Sequence, residues 1–174
     1  EFVLQEQARE PFRVCALEAS QKLHLGSLTL QLRADRIDIV DDALLIIDYK
    51  TGATDFQPDV RSGEFDRVTQ LAAYALAAEQ PVCAVAIASI HPRNQSYRGL
   101  YGQGQQRLPD DVVHRGSPKA LEDVLPEWTD IARKRAAMLE RGEGWLNLKT
   151  PARDWLSMGP LSRMADVRSS KDRG

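Results

Sequence analysis

The chain is 174 residues long, with a formal net charge of −2, 43% hydrophobic and 28% charged residues. That length suits one domain with a real core, and the balance is ordinary for a globular protein. No apolar run approaches the ~20 residues of a membrane span, no secretory signal leads the chain, and the overall charge does not announce a nucleic-acid binder.

The opening "EFVLQEQARE" reads as the tail of a helix, and a first residue of Glu points to a domain cut from a longer protein. "PFRVCALEAS" alternates as a first strand. "LGSLTLQLRADRIDIV" reads as a second, longer one, with Leu28, Leu30, Leu32 and Ala34 on one face. A turn at "DDA" returns the chain as a third strand, "LLIIDYK", whose four consecutive hydrocarbon side chains mark burial on both faces. After a polar loop with Pro58 and Gly63, "EFDRVTQLAAYALAAEQ" has helical spacing at Phe65, Val68, Leu71 or Ala72, Ala75 and Leu76, and Pro81 ends it. "VCAVAIASIHP" is strand-like, and the Gly- and Gln-rich "RGLYGQGQQRLPDD" reads as a loop. Ser117 and Pro118 supply an N-cap and first helical position. The helix then runs through Leu121, Trp128, Ile131, Ala132, Met138 and Leu139 to Gly142, bent or split at Pro126. Residues 1–150 form one domain on this reading, and 151–174, without hydrophobic period, a partly disordered tail. Strands, helix, strand, helix in that order give an α/β or α+β class around a central mixed β-sheet flanked by helices. Cys15 and Cys83 lie far apart in strand-like runs; two buried thiols in a reducing, cytoplasmic compartment are expected rather than a disulfide.

The third strand raises the functional question, because it ends in an acid and a base, Asp48 and Lys50, two residues apart. With a two-residue loop at Asp41 and Asp42, Val40 faces Ala43 and Asp35 faces Asp48. Residues directly opposite on antiparallel strands have Cβ atoms ~4.5–5.5 Å apart. Period two puts Asp48 and Lys50 on one face, Leu45, Ile47 and Tyr49 on the other, and Asp38 on the face away from Asp35. Two carboxylates that close repel, which a shared proton or a divalent cation would relieve. Mg²⁺ or Mn²⁺ suits such an oxygen site. The bland alternative is a solvated acidic face with Lys50 as a plain ion-pair partner. The following helix carries Arg67, Gln70 and Tyr74 on one side, and a short connection brings that stripe beside the acids.

"RADRID", then "IIDYKTG" with thirteen residues from acid to acid, then "QLAAY", resembles the PD-(D/E)XK nuclease superfamily, and more narrowly the RecB/AddB-like exonuclease domains of bacterial DNA-repair helicase–nucleases. The resemblance is densest from Glu18 to Leu76. It implies a restriction-endonuclease-like core and a metal-dependent DNA exonuclease acting in repair or recombination. Asp35 and Asp48 would bind Mg²⁺ (or Mn²⁺), with the backbone carbonyl of Tyr49 completing the shell. Lys50 is similar to the catalytic lysine, and Gln70 with Tyr74 to the supporting Gln-x-x-x-Tyr motif. DNA is the implied partner, along with other domains or subunits of a helicase–nuclease; a catalytically silent module that holds or guides DNA is the alternative.

Arg33 and Arg36, flanking Asp35, and Arg67 are candidate DNA contacts; the first two could equally balance the acids. Relatives often carry a further acid or histidine on a preceding helix, for which Glu6 is the candidate here. Glu18 matches a common family acid, with a structural ion pair as the competing role. With no cysteine after Cys83, no iron–sulfur cluster is expected.

Overall fold

The computed structural model describes residues 2–51, 60, 63–91, 94–103, 108 and 119–143. The elements are α1 (Phe2–Gln7), β1 (Arg13–Leu25), β2 (Leu28–Val40), β3 (Ala43–Lys50), α2 (Phe65–Ala77), β4 (Val82–His91), β5 (Asn94–Tyr101) and α3 (Leu121–Glu140). The five strands form one sheet in the order β1-β2-β3-β4-β5. Among the described residues only the β3–β4 pair is parallel, and α2 lies in the crossover between them. This is the mixed sheet with flanking helices expected of the sequence.

Hydrophobic patterning explains which strands lie inside. Leu44 to Ile47 are all buried, because β3 is central and covered on both faces. On one face Leu44 and Ile46 join Ile37, Val85, Leu71, Ala72, Ala75 and Trp128, which draws in α2 and α3. On the other, Leu45 and Ile47 join Val40, Ala84, Ala86 and Tyr97, with Phe2 of α1 packed against them.

The first two hairpins, β1–β2 and β2–β3, turn on residues with positive φ. Asp41 and Asp42 have φ of 47° and 63°, the two left-handed residues of a type I′ turn, and Val40 pairs with Ala43 as the two-residue loop requires. Gly26 (φ 63°) closes the first hairpin, so Leu25 pairs with Leu28. That corrects the sequence reading, which ran the second strand from Leu25 and cut the first short at Ser20. The polar stretch "QKLH" hid the strand's continuation: burial does alternate from Ala19 to Leu25, with Leu23 buried, but a glutamine, Gln21, stands at one of the inward positions, and on β2 Leu30 is exposed.

Strand β5 takes in residues 98–101, the start of the stretch "RGLYGQGQQRLPDD" that reads as a loop in the sequence. It is an edge strand rich in polar residues, and a Cβ at Gly99 would lie 2.5 Å from the tip of the Tyr101 ring, which would have to shift. Cys83 is buried as expected, its thiol donating to Leu44 O at 3.3 Å. Cys15 is not: it is free and exposed, at a register shift on edge strand β1.

Helix α2 is kinked at Val68 (φ −128°, ψ 24°). Its N-terminal approach is pinned to α3, where the Trp128 indole N–H donates to Gly63 O at 2.8 Å. Gly63 has a φ of 65°, and a Cβ would come within 2.6 Å of Val124 Cγ1, so side chains are excluded there twice over. α3 is one helix with Pro126 inside it, not a split pair. The N-cap expected at Ser117 and Pro118, and the tail 151–174, lie outside the described residues.

The chain divides into two compact units, Glu1–Ala137 and Met138–Gly174. Of the second, residues 138–143 are described. There Gly142 (φ 70°) ends α3, with Gly142 N–H donating to Leu139 O and Glu143 N–H to Met138 O, each at 2.9 Å.

Candidate active site

Asp48 and Lys50 stand on the α2 side of β3, and Tyr49 between them packs toward the opposite face. Asp48 is 2% exposed, whereas the Lys50 side chain is half exposed. The post that carries them is rigid because its preceding residues are locked in two cores at once.

Asp35 meets this strand where β2 leaves it. The last regular β2–β3 pair is Arg36 with Ile47. One step further the Asp35 carboxylate accepts the backbone N–H of Tyr49, Oδ2 to N being 2.8 Å. Asp35 thus lies opposite Asp48, as the turn length predicted. On β1, Leu17 pairs with Arg36 and Ala19 with Ala34, which places Glu18 opposite Asp35 with a φ of 51°. A non-glycine residue in that region costs on the order of 1–3 kcal/mol. The face of β2 turned toward the main core changes here, from Leu32 and Ala34 to Ile37 and Ile39. The three-strand irregularity therefore coincides with the acid pair.

Lys50 Nζ is 2.6 Å from Asp48 Oδ2. At that distance the Lys50 ammonium is the charged partner of the buried Oδ2, which has no further hydrogen-bond partner among the described residues. Burial pushes the Asp48 carboxyl above the usual carboxylate range; Lys50 opposes the shift and the charge on Asp35 adds to it. A buried carboxylate in this condition gains from a second cation.

A hydrogen-bond chain joins β3, α2 and β2. Lys50 Nζ donates to Gln70 Oε1 (3.0 Å), Gln70 Nε2 donates to Tyr74 OH (2.7 Å), and Tyr74 OH donates to Arg33 O (2.8 Å). Lysine can only donate, so it fixes the amide orientation of Gln70, and every later direction follows. Burial, with the nearby charges of Asp48 and Asp35, pushes the Tyr74 phenol up, which keeps it a donor. Tyr74→Phe should cost about 1–3 kcal/mol in a urea titration, since it strands Arg33 O; no loss would mean that water already serves it.

The donor set is all oxygen, and burial holds one of its acids above the usual carboxylate range, which fits Mg²⁺ or Mn²⁺. Among the described residues no group of three or more His, Cys, Asp or Glu gathers for a metal, so water and phosphate oxygens would complete any shell.

The arginine candidates part company. Arg33 is exposed and pairs with Glu18 at 3.0 Å. The side chain of Arg67 lies outside the described residues. Arg36 requires a correction: it is buried on the opposite face, where Nε and Nη2 hold Asp38 at 2.7 and 2.9 Å and Nη1 reaches Glu6 (2.7 Å) and Tyr49 OH (3.1 Å). It is thereby withdrawn from DNA, because Asp38, directed to that face by period two, captures it. Glu6 is likewise away from the acid pair, accepting from Arg9, Arg36 and Tyr97. The Arg-x-Asp spacing at Arg36 and Asp38 was the one sequence signal of this ionic cluster, and the parts of Arg9 and Tyr97 had none.

The sequence model of the PD-(D/E)XK nuclease superfamily matches residues 1–153. Among solved structures, the chain is similar to one described as "Crystal structure of SSO0001", at 15% identity and a TM-score of 0.35, over 67% of this chain. It spans about half of that structure's chain, 49%. No curated protein matches it.

Proposed function

Because this chain belongs to the PD-(D/E)XK nuclease superfamily, we propose that it is a divalent-metal-dependent deoxyribonuclease, the exonuclease module of a RecB/AddB-like DNA-repair assembly. The observation that carries this reading is the convergence of Asp35, Asp48 and Lys50 at one end of β3, with Gln70 and Tyr74 bracing them from α2.

Hydrolysis of a phosphodiester adds water across the P–O3′ bond. The water oxygen bonds to phosphorus as the P–O3′ bond breaks, and the 3′ oxygen leaves with a proton. A Mg²⁺ or Mn²⁺ held by Asp35, Asp48 and the Tyr49 carbonyl would supply an acidified water and neutralise charge on the phosphate. Tyr49 N–H holds Asp35 in place through its Oδ2. Gln70 draws the Lys50 ammonium toward α2, so that it serves the attacking water or the phosphoryl oxygens from a set position. With a net charge of −2, DNA affinity rests on local cations such as Arg33 or on further parts of the protein.

End-labelled single- and double-stranded DNA incubated with Mn²⁺ or Mg²⁺ tests this. Cutting should occur only with metal and fall about 10²–10³-fold in Lys50→Ala, the loss typical of one removed transition-state donor. Saturable metal binding without cutting would instead favour a module that holds or guides DNA.

A further inference from the structure

We infer that the ionic cluster on the far face of the sheet positions the acid site, acting through Tyr49. This rests on the metal-site reading above and adds to it residues outside that site.

Tyr49 belongs to both faces. Its amide N–H holds Asp35 on one, and its phenol oxygen accepts from Arg36 Nη1 at 3.1 Å on the other. Its immediate neighbours on β3 are Asp48 and Lys50. A displacement of the Tyr49 ring therefore moves the donor to Asp35 and the two residues on either side together. Few single side chains have such leverage.

The ring is fixed from two directions. The edge of Phe2 meets it with centroids 6.2 Å apart, and Phe2 also packs on Tyr97 at 5.3 Å. Arg36, which anchors the phenol, cannot move independently. Its fork is closed on Asp38, which is fully buried and also receives Arg9 Nη2 at 2.7 Å. Glu6 bridges Arg36 and Arg9 and takes the Tyr97 hydroxyl. The Arg9 guanidinium stacks 3.7 Å above the Phe12 ring.

Helix α1 supplies Phe2 and Glu6 to this assembly. It is tied to β5 independently, where Phe2 N–H donates to Gln95 Oε1 at 2.7 Å and Gln5 Nε2 to Gln95 O at 3.1 Å. A six-residue helix is too short to be stable alone, so it is held by these contacts, and its docking is transmitted to Asp35 through Arg36 and Tyr49. Arg36, Glu6 and Phe2 are thus positioning residues.

The test uses the full chain with Tyr49→Phe and Glu6→Gln, each of which removes one link while retaining shape. Mn²⁺ affinity is measured by electron paramagnetic resonance well below the melting temperature, alongside hydrogen exchange of the Tyr49 amide. Each variant should weaken Mn²⁺ binding about tenfold, as the loss of an outer-shell partner does, and speed exchange at Tyr49. Cleavage, with kcat lowered more than KM is raised, should recover at high Mn²⁺. Unchanged affinity and exchange in both variants, against normal binding by the wild type, would overturn the positioning role alone. A wild type that binds no Mn²⁺ would overturn the metal-site reading and this inference with it.

Discussion

Asp48→Asn should abolish metal-dependent cleavage, by about a thousandfold or more, and yet make the metal-free protein more stable at neutral pH. The rate loss follows from removing a metal ligand that supplies several kcal/mol of charge stabilisation, each 1.36 kcal/mol being tenfold. The stability gain follows from the carboxyl being held above the usual range, chiefly by burial. Such a group binds its proton more tightly when folded. The stability it contributes is therefore complete below the unfolded carboxylate value, about 4, and is lost as pH rises through the raised folded value. At pH 7 the wild type bears the penalty of a buried charge beside Asp35, which asparagine does not. Thermal melts in a chelator should show the variant ahead at neutral pH, with the gap closing as pH falls. Mn²⁺ should raise the melting temperature of the wild type only, by mass action. A variant less stable than wild type at neutral pH would mean that Lys50 already satisfies the Asp48 charge.

Asp38→Ala should cost about 3–5 kcal/mol of folding free energy, the range for a broken buried ion pair. Asp38 is fully buried and accepts from Arg9 and from two nitrogens of Arg36. Its removal leaves two guanidiniums competing for Glu6. Against a typical total of 5–15 kcal/mol, such a loss brings the chain close to unfolding. Lys134→Ala provides the contrast. Its i,i+4 pair with Asp130 is 2.5 Å long, but the two side chains are 73% and 61% exposed, and the expected change is below about 1 kcal/mol. Urea titrations of the two variants compare them directly; a cost at Asp38 as small as at Lys134 would show that water reaches the cluster. The Glu6 carboxyl adds an acid limit. Burial raises it, but Tyr97, Arg9 and Arg36 together bring it below the ordinary glutamate range. Its contribution is thus present above the unfolded value and is lost as pH falls through the lowered one.

Sequence reading reached furthest where local rules and burial agree. Leu44 to Ile47 announced a strand covered on both faces, and the two-residue turn at Asp41 and Asp42 counted Asp35 across to Asp48. It failed where one of these was missing. β5, polar and on an edge, carries no hydrophobic signature of a strand. The β1–β2 hairpin runs on past Ser20 with a polar residue, Gln21, at an inward position, which breaks the apolar alternation that makes a strand legible. Cys15 looked buried because its neighbours alternate, but β1 is an edge strand and the thiol lies outside.

Arg36 shows the same limit at the site. Beside Asp35 in sequence it reads as a phosphate contact, yet adjacent strand residues point to opposite faces. Its partners, Glu6 and Tyr49, are thirty and thirteen residues away. The sequence by itself determined the family, the acid-to-acid spacing, and the placing of Asp48 and Lys50 on one face, since a turn of fixed length and a side-chain period of two are local properties. Only the tertiary structure decided which arginine stays exposed, that Asp48 is buried while Lys50 beside it is half exposed, and that α1 is tied to Tyr49. These depend on contacts between residues far apart in the chain, whose energy comes from burial and charge pairing that no local pattern encodes.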